Sequence, residues 1–182
     1  MTSTPKKLQL QDNVRGPGKV HVELNVNGSS YRLEIEPRRT LLDALRYDLN
    51  MTGSKKVCDM GECGACTILI DGKAVYSCLT LAIECEGHQI LTIEGVSTGS
   101  NLDPIQQAFI QEDAFQCGFC TSGQIMSIKG LLDANPEPTP DEIRRAVSGN
   151  ICRCGAYPHI FRAAAVAAET YREQRSTKKT GR

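Results

Sequence analysis

Tryptophan is absent from this 182-residue chain, and the other aromatics are few, with four Phe and five Tyr. Small domains bury a low fraction of their surface, so cores with so few large side chains need a staple beyond packing. An excess of one charge is also missing, since Lys plus Arg and Asp plus Glu number 21 each. A nucleic-acid-binding face therefore has no global basic field to rest on, and acidic substrates gain no support. No apolar run approaches the length of a membrane span. The first twenty residues hold Lys6, Lys7, Asp12 and Arg15 without an apolar core, so no secretory leader is read there. Arg38-Arg39 sits too far inside the chain to act as a twin-arginine signal. The expected location is the cytoplasm, a compartment that keeps thiols reduced.

What the chain has instead is nine cysteines. In a reducing compartment they point to metal ligation rather than to a disulfide framework.

The surrounding sequence divides in two. Residues 1–18, with Pro5, Gly16, Pro17 and Gly18, read as a polar tail. Val20, Val22, Leu24 and Val26 alternate with polar residues, as do Tyr31, Leu33 and Ile35 after Asn27-Gly28. This is a hairpin pattern with a short loop. Thr40 is placed to cap a helix carrying Leu41, Leu42, Leu45 and Leu49. A second hairpin spans Thr67 to Ser77 around Asp71-Gly72, and Gln89 to Ile93 reads as one more strand. Beyond the Gly/Ser-containing stretch 97–101 the period becomes helical, through Ile105, Ala108 and Phe109 and then Ile125, Ile128, Leu131 and Leu132. Thr139-Pro140-Asp141-Glu142 has the form of a capping box, and Gly149 is placed to end that helix. A last helix is expected from Pro158 to Tyr171. The expected fold class is α+β: a strand-rich domain over 19–96, a helical one over 97–172, and a basic tail over 173–182.

The first cysteine set is Cys58, Cys63, Cys66 and Cys78, spaced C-x4-C-x2-C-x11-C. This is the plant-type [2Fe–2S] spacing, in which one loop gives three thiolates and a distant point the fourth. A cluster with four thiolates carries excess negative charge, and inward-turned backbone N–H groups stabilise it. Gly61 and Gly64 permit the positive-φ backbone that such wrapping demands. A structural zinc site prefers short paired knuckles and fits this loop poorly. The second set is Cys117, Cys120, Cys152 and Cys154, spaced C-x2-C-x31-C-x-C. Its C-x2-C half also occurs in zinc knuckles, so spacing alone leaves zinc open there, although the C-x-C half is unusual for zinc. Cys85 is left over and reads as an ordinary thiol, since eight ligands already complete two sites.

Three stretches carry a family resemblance: Cys58-Asp59-Met60-Gly61-Glu62-Cys63-Gly64-Ala65-Cys66-Thr67, Phe115-Gln116-Cys117-Gly118-Phe119-Cys120-Thr121-Ser122-Gly123, and Gly149-Asn150-Ile151-Cys152-Arg153-Cys154. Together they resemble the iron–sulfur subunit of the molybdenum hydroxylases, the xanthine dehydrogenase and aldehyde oxidoreductase family, over about residues 20–170. The resemblance implies a β-grasp, ferredoxin-like N-terminal domain and an all-α four-helix C-terminal domain. It implies two [2Fe–2S] clusters here, with molybdopterin on a large partner subunit and FAD on another. Substrate, an aldehyde or an N-heterocycle, would be hydroxylated on the large subunit. Electrons would pass through the helical-domain cluster to the ferredoxin-domain cluster, and on to FAD or another acceptor. By position, Gln116 and Cys154 match residues that contact the pterin across the interface. Exposed apolar side chains such as Phe119 are expected to face the large subunit.

The chain departs from many members after Cys154, reading Gly155-Ala156-Tyr157 in place of Thr-Gly-Tyr. That variant resembles an aldehyde-oxidising branch whose exported members carry a leader, and none is visible here. Two other classes make different predictions. A free-standing two-cluster ferredoxin carrier would purify as a monomer, and such carriers are commonly acidic. A two-site zinc module would be colourless.

Overall fold

The computed structural model describes residues 15–97 and 99–180, with side chains described through residue 174. Most of the expected polar tail over 1–18 lies outside the described residues.

Strands β1 (Val20–Val26) and β2 (Ser29–Ile35) pair antiparallel, from Val20 opposite Ile35 to Val26 opposite Ser29. Asn27 and Gly28 turn the chain at φ 52° and 79°, the two left-handed residues that a two-residue I′ hairpin requires. Strands β3 (Thr67–Ile70) and β4 (Lys73–Tyr76) repeat the device at Asp71-Gly72. Strand β5 (Gln89–Leu91) enters between the hairpins, parallel to β1 and antiparallel to β3. The sheet is mixed, in the order β2-β1-β5-β3-β4. β5 stops at Leu91, two residues earlier than the pattern suggests. Asn27 takes over the pairing there: its Oδ1 accepts from the Thr92 N–H and its Nδ2 donates to Thr92 Oγ1, each at 2.9 Å.

Thr40 caps α1 (Leu41–Asp43) by accepting from the Asp43 N–H. The helix is shorter than its leucine pattern implies. Over Ala44–Asp48 it widens into a π turn, in which the Leu49 N–H donates to the Ala44 carbonyl. Leu41, Ala44 and Leu45 still pack with Val22, Leu24, Ile68 and Ile90 to form the sheet's core, and Leu49 lies against it.

Helices α2 (Pro104–Gln111), α3 (Thr121–Ala134), α4 (Pro140–Ala146) and α5 (Tyr157–Thr180) follow. Thr139 and Glu142 form the expected capping box of α4. Gly149 does not end that helix, which stops at Ala146, and it lacks the left-handed φ of a helix-ending glycine. α5 continues past Tyr171 to Thr180, so the expected basic tail is helical over most of its length. Residues 172–180 hold no Gly or Pro and are rich in Arg, Glu, Gln and Lys, which favour helix. Phe109, Ile125, Ile128, Leu132 and Ile160 build the helical core, with Ala163, Ala164 and Ala167 letting α5 approach closely.

The two halves share a contact that the sequence does not announce. Ile68 faces the α1 core, while its neighbour Leu69 points to the opposite face of β3 and packs with Val96 and Met126 of α3. β3 is thus buried on both faces, and the first cysteine loop, which leads into it, is held against the helical half.

Candidate metal centres

The first cysteine loop is built on backbone conformation. Asp59, Gly61 and Gly64 adopt φ of 56°, 78° and 67°. Lys56 ties the loop's entrance to α1 by bonding Asp43 at 2.9 Å and Asp59 at 3.0 Å, and these carboxylates hold its ammonium well above its ordinary value. The backbone N–H groups of Met60, Glu62 and Cys63 converge on the Cys58 sulfur. Led by Met60, and against the opposing effect of burial, they draw its thiol down to about 7. Cys78 comes from the 3-10 turn Ser77–Leu79 after β4, pinned where Ser77 Oγ donates to the Cys66 carbonyl. Cys66 and Cys78 are buried beside Leu42 and Tyr76. Burial and the adjacent Cys66 raise Cys78 to about 11.

The second set joins a loop at the start of α3 to the segment between α4 and α5. The Cys154 and Cys117 sulfurs lie 3.4 Å apart at an exposed edge. The Phe119 N–H, followed by Cys154, keeps Cys117 below its ordinary value. Cys120 and Cys152 form the inner half, where burial and then Cys152 raise Cys120 to about 12. The Ala156 N–H donates to Cys152 Sγ at 3.4 Å.

The sulfurs therefore approach two by two: Cys58 with Cys63, Cys66 with Cys78, Cys117 with Cys154, and Cys120 with Cys152. Among the described residues no three His, Cys, Asp or Glu are placed to hold a single metal ion. Paired thiols with N–H donors turned toward sulfur are what a two-iron cluster needs, each iron taking two thiolates. Cys85 stands apart. It is buried, its thiol points to the Leu81 carbonyl at 3.5 Å, and burial raises it to about 11. Gln116 is exposed beside Cys117.

The sequence reading passed over the residues that join the two sites. The Ile151 N–H donates to the Cys63 carbonyl at 2.9 Å. Asn150, only 3% exposed, donates through Nδ2 to the Gly64 carbonyl (2.9 Å) and to Thr67 Oγ1 (3.2 Å), and accepts at Oδ1 from Ser127 Oγ (2.7 Å). Tyr76 Oη donates to the Gly149 carbonyl at 2.9 Å. A Cβ at Gly64 would strike the Gly149 carbonyl, and one at Gly123 the Gly64 carbonyl, so the loops meet only because both residues lack one. An asparagine two positions before the C-x-C pair is the signal that could have revealed this joint.

Comparison with known proteins agrees with the geometry. Residues 24–90 match the model of a 2Fe-2S iron-sulfur cluster binding domain, and residues 92–165 that of a [2Fe-2S] binding domain. The chain is 49% identical over 167 residues to the aldehyde oxidoreductase iron-sulfur-binding subunit PaoA of Escherichia coli O157:H7, covering 84% of this chain and 73% of that one. It is 50% identical over 145 residues to the nicotine 6-hydroxylase small subunit of Paenarthrobacter nicotinovorans, covering 80% and 87%. Its fold superposes on a chain of quinoline 2-oxidoreductase from Pseudomonas putida 86 with a TM-score of 0.81 at 43% identity, covering 85% and 97%. The chain belongs to the family of small [2Fe–2S] iron–sulfur subunits of the xanthine dehydrogenases and aldehyde oxidoreductases.

Proposed function

We propose that this chain is the electron-relay subunit of a molybdenum-containing hydroxylase or dehydrogenase. It would pass electrons from a molybdopterin centre on a large partner subunit to FAD on a further subunit, or to another acceptor. The observation that carries the reading is the pairing of eight sulfurs at two adjoining sites, in a chain whose relatives are subunits of oxidoreductases. Cys58, Cys63, Cys66 and Cys78 would hold one cluster, within a β-grasp domain of residues 19–96. Cys117, Cys120, Cys152 and Cys154 would hold the other, within a four-helix domain of residues 97–172. When bound, a [2Fe–2S] cluster supplies reversible one-electron storage. The chain's own residues present thiolates, aim N–H groups at them, and keep water from the inner edges at Cys66, Cys78 and Cys152.

The proposed direction is the one that the resemblance implies, and exposure at the second site is compatible with it. Cys117 and Cys154 are exposed, with Phe119 (59%) and Ile151 (54%) bare on the same loops. This edge, with Gln116, is proposed to meet the large subunit and its pterin. The relatives' names mention aldehyde oxidoreductase and nicotine 6-hydroxylase, which supports an aldehyde or an N-heterocycle as the proposed substrate class. The proposed location is the cytoplasm, a compartment that keeps thiols reduced. Among the described residues no helix is long and apolar enough to cross a membrane.

Low-temperature EPR of the dithionite-reduced protein, expressed with its large subunit, tests the reading. Two S = 1/2 signals with different relaxation are expected. A colourless, EPR-silent protein containing zinc would overturn it.

A further inference from the structure

Segment 149–151, the strap that leads into Cys152, lies against the first cysteine loop, and ligands of both sites bracket the contact. On the first-site side Cys63 and Cys66 flank Gly64, while on the other Cys120 caps α3 and Cys152 follows the strap. Asn150 stands between them. Its Nδ2 donates to the Gly64 carbonyl at 2.9 Å and to Thr67 Oγ1 at 3.2 Å. The next N–H, of Ile151, donates to the Cys63 carbonyl at 2.9 Å. The strap thus holds the two peptide groups that follow Cys63, and with them the chain between two first-site ligands.

Asn150 is itself placed by α3. Ser127 Oγ donates to its Oδ1 at 2.7 Å, and Gln124 Nε2 to its carbonyl at 3.1 Å. Gln124 and Ser127 lie about one and two helical turns after Cys120, and Asn150 lies two residues before Cys152. Whatever ties Cys120 to Cys152 therefore also ties α3 to the strap. Their thiols already pair, and a two-iron cluster at the second site would bind both. Without that cluster only hydrogen bonds keep the strap in register on α3. All four side-chain bonds of Asn150 are buried, and a half-docked strap would leave costly unpaired polar groups. The strap is accordingly docked on the first loop or lifted from it.

We infer, on the two-cluster reading above, that Asn150 is a positioning residue for iron ligation at the first site, and that through it occupancy of the second site stabilises the first-site cluster. A cluster at the second site favours the docked strap, and the docked strap sets Cys63 and Cys66 in place for iron. Linkage makes the effect mutual, and a coupling of this kind is commonly worth about tenfold.

The test compares four forms of the full chain loaded with iron and sulfide: wild type, Cys117→Ala with Cys154→Ala, Asn150→Ser, and all three substitutions together. Cys117 and Cys154 are the exposed ligands of the second site, so replacing them empties that site while every partner of Asn150 stays. Each form is held under dithionite with an iron(II) chelator, and the EPR signals are followed in time. The signal that survives in the double-alanine form belongs to the first site. That form is expected to lose it about tenfold faster than wild type, and Asn150→Ser alone to do the same. The triple form is expected to be no faster than either, because both changes break one linkage. Two effects that multiply would make Asn150 merely structural and overturn its role. A first-site lifetime unchanged by emptying the second site would overturn the coupling and leave the two-cluster reading standing. If the altered chains do not fold, the wild type decides: the slower signal is expected to decay after a lag set by the faster one, and two independent exponential decays overturn the coupling. A wild type with neither signal would remove the two-cluster reading itself.

Discussion

At the scale of single residues, Cys85 is the internal control for the other eight cysteines. Its thiol is buried, faces only the Leu81 carbonyl and is raised by burial to about 11. A thiol that is neither ionised nor accessible is inert. In the cluster-loaded protein at pH 8, iodoacetamide is therefore expected to leave Cys85 unmodified until the fold is opened by denaturant, as peptide mass mapping would show. Cys85→Ala is expected to cost about 1 kcal/mol for the small void while retaining both EPR signals. Loss of a signal would make Cys85 a ligand. The cysteines were legible because most of them cluster in sequence, as Cys58 to Cys66, Cys117 with Cys120, and Cys152 with Cys154. Asn150 and Tyr76 were not, because their meaning lies in Gly64 and Gly149, 86 and 73 positions away, and no local pattern encodes such a distance.

Among the elements, the hairpins were legible for a similar reason. Asn27-Gly28 and Asp71-Gly72 occupy left-handed backbone that few other pairs tolerate, so the turn chemistry states its own geometry. The π turn after Asp43 widens a helix whose leucines keep ordinary helical spacing, with Leu49 against the sheet core, and that spacing carries no sign of it. The extent of α5 was equally hidden, and one contact shows where its anchoring is strongest. Tyr171 Oη donates to both carboxylate oxygens of Asp103 at 3.1 Å, and Asp103 also caps α2. Burial, followed by the charge of Asp103, holds the phenol above its ordinary value of 10.0. A folded value raised above the unfolded one contributes stability that is complete below pH 10 and lost as pH climbs beyond it, because the unfolded chain ionises first. Tyr171→Phe is expected to lower stability at pH 7 by about 1.5–3 kcal/mol, the range for a hydrogen bond to a charged partner. It should also flatten the decline between pH 10 and 11. Urea unfolding at the two pH values measures both, and an equal decline in the variant would show that Tyr171 carries none of the alkaline sensitivity.

Taken as a whole, the molecule buries one pair of each cysteine set more deeply than the other. At the first site the exposed rim includes Met60 (64%) and Leu79 (65%), and at the second Phe115, Phe119 and Ile151. Scattered surface apolar residues need no explanation, but groups of them on cysteine loops do. An electron leaves or enters by whichever edge comes closest to its partner, and apolar contact at that edge excludes water and fixes the distance. Phe119 makes the cleanest probe, since its side chain is largely exposed while its backbone N–H serves Cys117. Phe119→Ser keeps that N–H and should change the stability of the chain by no more than about 0.5 kcal/mol, as for other exposed positions. An aromatic anchor removed from an interface costs about 2 kcal/mol or more. The variant is therefore expected to bind the large subunit at least about tenfold more weakly, with its own two EPR signals intact. Affinity measured by surface-immobilised large subunit reports this directly, and wild-type affinity in the variant would move the docking edge away from the Cys117–Cys154 pair.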